Sequence, residues 1–318
     1  MTSKTGKTKT PIEFYQMGWN CFANASTQAI LSLEGFCNYL VSFDKQIEKF
    51  DDSDKGKFSE TIIRNLAAIC NFIRSNTYGI NSPLKIIHYL KTVSSKCPAI
   101  PYGEFGDSKT FIISVFDKVD QEIEYFNNFI NGTSIPKFAS MSSFFLGNYI
   151  QIQQCTYCKK IEKNTIEFSY LLFNGNSRSI EDGFKNFVKN TSDCPYCHHH
   201  TFEYTCEFDE FPQYFFIQIQ RGGFMGDLPS LNIEFNPTFE NKGHIYTLDL
   251  QSVVFDGFGH SYAAIKRYGQ WYISGQILNL RKPQLMNQDK LKRNYLSISR
   301  GGLPVQGYIL FYTILSSN

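Results

Sequence analysis

Four of the nine cysteines fall into two C-x-x-C pairs, Cys155 and Cys158 in CTYC and Cys194 and Cys197 in CPYC. Two residues between the members of a pair let one turn aim both sulfurs at a single point, and thiolates are strong ligands for a soft metal ion. With 35 residues separating the pairs, the pattern predicts a structural zinc site with four thiolate ligands. Such a site closes the coordination shell and leaves no position open for catalysis. A redox pair is the competing reading, and it is weaker because neither pair opens the helix of a βαβ unit. His198, His199 and His200 follow Cys197 directly. One of them could replace a cysteine, but solvated loop histidines are the simpler reading.

The other five cysteines, Cys21, Cys37, Cys70, Cys97 and Cys206, stand alone. Cys21 lies in QMGWNCFANASTQAI, directly after Asn20, a residue type suited to a helix N-cap. The free N–H groups and the positive end of a helix dipole would favour its thiolate, the nucleophilic form. A thiolate enzyme needs a proton carrier, and there are six histidines. His88 lies in a helical stripe and the triple run belongs to the cysteine loop, which leaves His244 and His260. His260 follows glycines in FDGFGHSYAAIKRYGQWYIS and precedes a strand pattern, a setting that puts an imidazole at a sheet edge with room for substrate. On residue types alone this pairing competes with plain burial, since a single helical cysteine is usually a small core residue.

The elements that must position these groups change character along the chain. Phe22, Ala25, Ala29, Ile30, Leu33, Cys37 and Leu40 recur at helical spacing. KFSETIIRNLAAICNFIRSN repeats the pattern, with Ser59 as cap and Ile62, Ile63, Leu66, Ile69 and Ile73 as its stripe. NSPLKIIHYLKTV starts with Ser82 as cap and Pro83 at the first helical position. DSKTFIISVFDKVDQEIEYF is a further helix, with Phe111, Val115 and Val119 apolar. After about residue 140, FFLGNYIQIQQ, IEFSYLLFN, QYFFIQIQR, HIYTLDLQSVVF, SYAAIKRYGQWYIS and GYILFYTIL are rich in β-branched and aromatic residues, several alternating with period two. Helices followed by mostly antiparallel strands make an α+β arrangement.

The 318 residues suffice for a sizeable core. A net charge of +2 with dispersed lysines gives no reason to expect nucleic acid. No apolar run approaches the ~18 residues that span a bilayer, so no membrane is expected. The polar tail SKTGKTKT lacks the apolar core of a signal peptide, and residues 1–11 are expected to be disordered. The expected location is cytoplasm, nucleus or both, where thiols stay reduced.

Taken as an ordered set, the blocks resemble a divergent ubiquitin-specific protease. GWNCFANASTQAI is similar to the family's cysteine box, with Gly18, Cys21, Phe22, Asn24, Ala25 and Gln28 matching. FGDSKTFI resembles the block Q-Q-D-A-x-E-F-L and keeps Asp107 and Phe111. FFLGNYIQIQQCTYC resembles the entry to the zinc-bearing fingers, YTLDLQSVVFDGFGHSYAAIKRYGQWYI the histidine box, and GYILFYTIL the closing strand. The resemblance implies a papain-like cysteine protease fold over residues 12–316 as a single catalytic domain. A helical thumb would span about 18–135, zinc-ribbon fingers about 145–220, and a β palm with the histidine box about 221–316. It implies Cys21 as nucleophile and His260 as base, cleaving after the C-terminal glycine of ubiquitin. Asp107 would pair with an arginine of the ubiquitin tail. Ubiquitin and ubiquitinated proteins are the implied partners, with an activating protein as a further one.

The chain also departs from the family pattern. Gln16 stands where an oxyanion-hole Asn is usual. The third triad member, an Asp or Asn in the family, is missing from WYISGQIL: direct spacing from Trp271 lands on Gly275, with Ser274 and Gln276 as flanking candidates to orient the imidazole. The loop VVFDGFG is short, Ser261 replaces the Tyr that follows the histidine, and the usual R-F pair is split over Arg221 to Phe224. Two expectations follow, that Gly275→Asp and Gln16→Asn would each raise turnover. The alternative is a weakly active or inactive ubiquitin-binding scaffold on the same fold.

Overall fold

The computed structural model describes residues 14, 20–75, 83–104, 106–186, 194–199, 202–220, 231–257, 260–275, 283–298 and 305–317. The N-terminal tail, Gln16, Gly18, Ser82, His200, Arg221 to Phe224 and Gln276 lie outside the described residues.

Helices come first: α1 (Cys21–Ile30), α2 (Glu34–Ile47), α3 (Asp52–Lys57), α4 (Ile62–Ser75), α5 (Pro83–Lys96) and α6 (Ser108–Phe129). Strands follow: β1 (Gly147–Cys155), β2 (Ile161–Phe168), β3 (Leu171–Asn174), then helix α7 (Ile180–Asn186), β4 (Phe202–Glu210), β5 (Phe215–Gln220), β6 (Leu231–Asn232) and β7 (Thr238–Asn241). The last are β8 (His244–Gly257), β9 (His260–Arg267), β10 (Gln270–Ser274), β11 (Gln284–Met286), the short helix α8 (Gln288–Leu291), β12 (Ser297–Ile298) and β13 (Val305–Ser317). This is the α+β order that the pattern predicts. The described residues form two compact units, one reaching Ser142 and including Gln251–Lys290, the other comprising Ser143–Leu250 and the residues from Leu291 onward.

In the first unit the helical stripes are buried as their spacing requires. Ile62, Ile63, Leu66, Ile69 and Ile73 of α4 are all buried, as are Phe111, Val115 and Val119 of α6. The expected single run through residue 40 breaks into α1 and α2. The Ser32 hydroxyl donates to the Ala29 carbonyl at 2.6 Å, a local bond that competes with helix continuation, and Leu33 adopts an extended conformation. Ser59 does not cap α4. Its hydroxyl donates to Gly56 O, and the helix begins three residues later. The first N–H groups of α4, on Ile62 and Ile63, instead donate to the two oxygens of Glu122 at 3.0 Å each. Glu122 is buried on α6 and also accepts from Lys96 at 2.8 Å. One carboxylate thus ties α4, α5 and α6 together.

Every residue of α1 is buried, including Asn24, Ser26, Thr27 and Gln28. Buried polar groups need partners. Thr27 Oγ1 donates to the Tyr89 hydroxyl, and Ser26 Oγ to the Ser108 carbonyl of α6. From the other side, Ser252 Oγ donates to Ala29 O and Arg267 Nη2 to Leu31 O. The helix therefore lies between α6 and the meander that β9 forms with the second half of β8 and with β10 and β11, paired antiparallel in that order. The β9–β10 turn has φ of 51° at Tyr268 and 74° at Gly269. This is the left-handed geometry of a two-residue hairpin, and it sets Ser274 opposite Ala263.

In the second unit β1 pairs antiparallel with β2 and with β4. β5 pairs with β13 antiparallel and with β3 in parallel. The buried Asn241 side chain takes both backbone bonds of Phe208, accepting from its N–H at 2.7 Å and donating to its carbonyl at 3.0 Å. It thereby anchors β4 to β7.

Removing the Glu122 carboxylate strands two helix-terminal N–H groups and a lysine. Glu122→Ala is expected to cost about 2–4 kcal/mol of unfolding free energy in denaturant titration. A loss below about 0.5 kcal/mol, the level of an ordinary surface change, would contradict the three-helix tie.

Candidate active site

Cys21 is the first residue of α1. Asn20 occupies the N-cap position without a side-chain capping bond. Because the whole helix is packed, Cys21 is only 4% exposed. His260, the first residue of β9, is half-buried. Its imidazole and the backbone N–H groups of Ser261 and Phe22 act on the Cys21 sulfur to favour its thiolate. Burial pushes the Cys21 thiol up, but these donors and the nearby imidazole outweigh it, and the net shift is downward. The His260 pKa moves up, first through its bond to Cys21, against burial, and with help from the Gly275 carbonyl. Both shifts favour a thiolate–imidazolium pair.

His260 Nε2 lies 2.5 Å from the Gly275 carbonyl oxygen. A carbonyl only accepts, so Nε2 carries the hydrogen and Nδ1 is the nitrogen left available to Cys21. The third position marked by spacing from Trp271 is therefore filled by a main-chain oxygen of Gly275. Ser274 is buried at the end of β10, one residue earlier. Gly275 has a φ of +88°, and a Cβ there would lie 3.3 Å from Tyr262 Cα and 3.5 Å from Ser261 O. This is a glycine-only conformation, so a carboxylate cannot be supplied at Gly275 without straining the carbonyl that the ring uses. The expectation that Gly275→Asp raises turnover is reversed on that ground. Residue-type reasoning found this position but not the atom, because a backbone oxygen leaves no residue signature.

Asp107 is exposed and is the N-cap of α6, its Oδ2 accepting from Thr110 N at 2.7 Å and Thr110 Oγ1 at 2.8 Å. Capping therefore fixes the position of this carboxylate.

The second unit holds the four paired cysteines. Their sulfurs all lie within 4.8 Å of one another and could hold a metal ion. The two knuckles repeat one backbone design. Lys159 N–H donates to Cys155 O and Cys155 N–H to Lys160 O; His198 N–H donates to Cys194 O and Cys194 N–H to His199 O. Lys159 and His198, each just after the second cysteine, both have positive φ, 60° and 56°. The candidate ligands among the described residues are cysteines alone. His199 stacks on Tyr157 with ring centroids 3.8 Å apart. Although the His199 N–H bond pulls the Cys197 thiol down, burial and the three neighbouring sulfurs push it up to about 12. Sulfurs this crowded can ionise together only around a cation.

A cysteine at a buried helix start facing a histidine on a β-meander, with a separate four-cysteine ribbon, is the layout of a cysteine hydrolase domain. A comparison with protein families matches residues 13–268 to the ubiquitin carboxyl-terminal hydrolases. The chain belongs to this family. Among solved structures it is similar to the SAGA DUB module of a Ubp8 variant with Sgf11, Sus1 and Sgf73 bound to monoubiquitin, with a TM-score of 0.72 and 15% identity over 100% of this chain and 72% of that one. The same module bound to ubiquitin aldehyde gives 0.71 and 14% over the same shares. The yeast SAGA DUBm with an Sgf73 mutant gives 0.70 and 15%, again over 100% and 72%. At these identities the likeness concerns the fold, a papain-like α+β arrangement of the ubiquitin-specific protease type. A comparison with curated proteins found no match.

The opposite shifts of Cys21 and His260 have a readable sign. A lowered thiol pKa keeps thiolate present as pH falls below the ordinary cysteine range near ~8.5. Alkylation of Cys21 by iodoacetamide, followed on its own peptide by mass spectrometry, should therefore persist below that range. In His260→Ala the profile should move up toward it. A Cys21 profile in the wild-type protein that matches an ordinary thiol would contradict the site.

Proposed function

We propose that the chain is a thiol-dependent deubiquitinase that hydrolyses the peptide or isopeptide bond after the C-terminal glycine of ubiquitin. The pairing of Cys21 with a His260 ring whose Nε2 is fixed on Gly275 O carries this reading. The Cys21 thiolate attacks the glycine carbonyl, and the Cys21 backbone N–H and the Gln16 amide stabilise the oxyanion. His260 Nδ1 gives its proton to the departing lysine amine, and the ring then takes a proton from the water that releases ubiquitin from the thioester. Throughout, the Gly275 carbonyl holds the Nε2 hydrogen; in the chain Ser274 precedes Gly275 and Gln276 follows it. A neutral carbonyl stabilises imidazolium less than a carboxylate does, so turnover is expected ~10- to 10³-fold below that of a site with an acid. Asp107 pairs with an arginine of the ubiquitin tail. The ubiquitin-bound and multi-subunit relatives support ubiquitin as ligand and an activating protein as partner. Residues 12–316 act as one catalytic domain. No helix among the described residues is long and apolar enough to cross a membrane. The place of action in this reading is the cytoplasm or nucleus, where the cysteines of the ribbon stay reduced.

The four cysteines fit a zinc ion held by Cys155, Cys158, Cys194 and Cys197. Tetrahedral Zn–S bonds of ~2.3 Å put sulfurs ~3.8 Å apart; the distances are 3.6 Å for Cys155–Cys197 and 3.7 Å for Cys158–Cys194. The ion would cross-link the two knuckles of a ribbon that grips the body of ubiquitin. A second reading, a ubiquitin-binding scaffold without turnover, is favoured by the 4% exposure of Cys21 and the neutral partner of His260.

Hydrolysis of a fluorogenic ubiquitin substrate separates the two. Wild-type protein should cleave it and Cys21→Ala should not. Gly275→Asp should cleave ~10- to 100-fold more slowly, the scale of a misplaced catalytic group. Undiminished cleavage by Cys21→Ala would overturn the assignment, and no cleavage by wild-type protein, with or without a partner, would leave the scaffold.

Purified protein should contain about one zinc per chain. Cys194→Ser should lose the metal while Cys21 keeps its alkylation profile. A metal-free, fully folded wild-type protein would refute the site.

A further inference from the structure

Ser261 replaces the tyrosine that usually follows the histidine, and the structure gives this replacement a partner. In the β8–β9 hairpin, Asp256 lies opposite Ser261 and Gly257 opposite His260. Asp256 Oδ1 accepts the Ser261 hydroxyl at 2.7 Å and the Ser108 hydroxyl at 2.5 Å. A tyrosine hydroxyl, held far from its backbone, could not make the first of these short cross-strand bonds. Ser108 and Ser261 are both buried, at 0% and 2% exposure. The contacts close a ring. Ser261 follows His260 and its backbone N–H favours the Cys21 thiolate, Cys21 begins α1, Ser26 of α1 donates to the Ser108 carbonyl, and Ser108 returns to Asp256. Burial pushes the Asp256 carboxyl up, the two hydroxyls hold it down, and the charge of Asp107 raises it further. Keeping an acid here therefore costs free energy that the two hydroxyl bonds offset.

We propose that Asp256 is a positioning residue for the nucleophile: by binding the hydroxyls of Ser261 and Ser108 through one oxygen, it holds the Ser261 N–H on the Cys21 sulfur and the start of β9 against α1 and α6. Its effect on turnover rests on the deubiquitinase reading; its effect on the sulfur does not, because that contact exists without substrate.

The test follows the alkylation of Cys21 against pH, resolved by peptide, in Asp256→Ala, Asp256→Asn and Ser261→Ala. Asp256→Ala should slow alkylation below pH 8 by about fivefold, the worth of one hydrogen bond, and shift the profile toward an ordinary thiol. Ser261→Ala should shift it the same way, and the double variant should be no worse than Asp256→Ala alone, because Ser261→Ala removes a bond that Asp256→Ala has already removed. Asp256→Asn keeps an acceptor oxygen and should stay within about twofold of wild type. With a ubiquitin substrate, kcat should fall in Asp256→Ala and KM should hold. If Asp256→Ala fails to fold, the Asp256→Asn and Ser261→Ala comparison decides. A wild-type Cys21 profile in Ser261→Ala, or additive losses in the double variant, would overturn the role. Absence of cleavage by wild-type protein, with the alkylation shifts present, would sink the deubiquitinase reading and leave the positioning role standing.

Discussion

The imidazole of His260 serves two partners at once, acting on the Cys21 thiol and bonding the Gly275 carbonyl. Much of the first unit follows from this constraint. The ring can face both partners only if the start of β9 lies against the start of α1 while the end of β10 runs alongside β9. The left-handed turn at Tyr268 and Gly269 sets that register. Gly275 must turn its carbonyl inward at a φ that side chains avoid, in space already bounded by Tyr262. A backbone oxygen thus does the orienting work that a carboxylate does elsewhere. It fixes the tautomer as firmly as its own position is fixed, yet brings no full charge.

The second cost lies in α1. Placing Cys21 at the start of a helix buried on all sides brings Asn24, Ser26, Thr27 and Gln28 into the interior. Unpaired, each would cost free energy. Neighbouring elements meet part of this demand: Tyr89, Ser108, Ser252 and Arg267 bond the helix from α5, α6, β8 and β9. The same bonds that satisfy polar atoms hold Cys21 in place. The cysteine ribbon has its own logic, with two backbone turns of one design aiming four sulfurs at one point.

Sequence periodicity carried much of the fold. The stripe of α4 and the apolar positions of α6 were legible because burial repeats with the helical period. The two knuckles were legible because their chemistry requires a fixed short spacing. Other features had no such signature. The cap of α4 comes from Glu122, 60 residues away along the chain, and no local pattern encodes a partner at that distance. Ser59 looked right by type, but α4 starts at Ile62, which makes Thr61 the cap position, two residues on. The Gly275 carbonyl and the Ser261 N–H were invisible because every residue has such atoms. Asp256 carried no signal of its own within VVFDGFG, since only the hairpin register sets it opposite Ser261.

The central claim is that Cys21, poised by His260, reacts with the C-terminus of ubiquitin. The most direct measurement is mass spectrometry of the intact protein after incubation with ubiquitin carrying a C-terminal vinyl sulfone. The account predicts one covalent ubiquitin per chain, mapped to Cys21, absent in Cys21→Ala and slowed in His260→Ala. Ubiquitin binding without any adduct, or an adduct mapped to another cysteine, would contradict it.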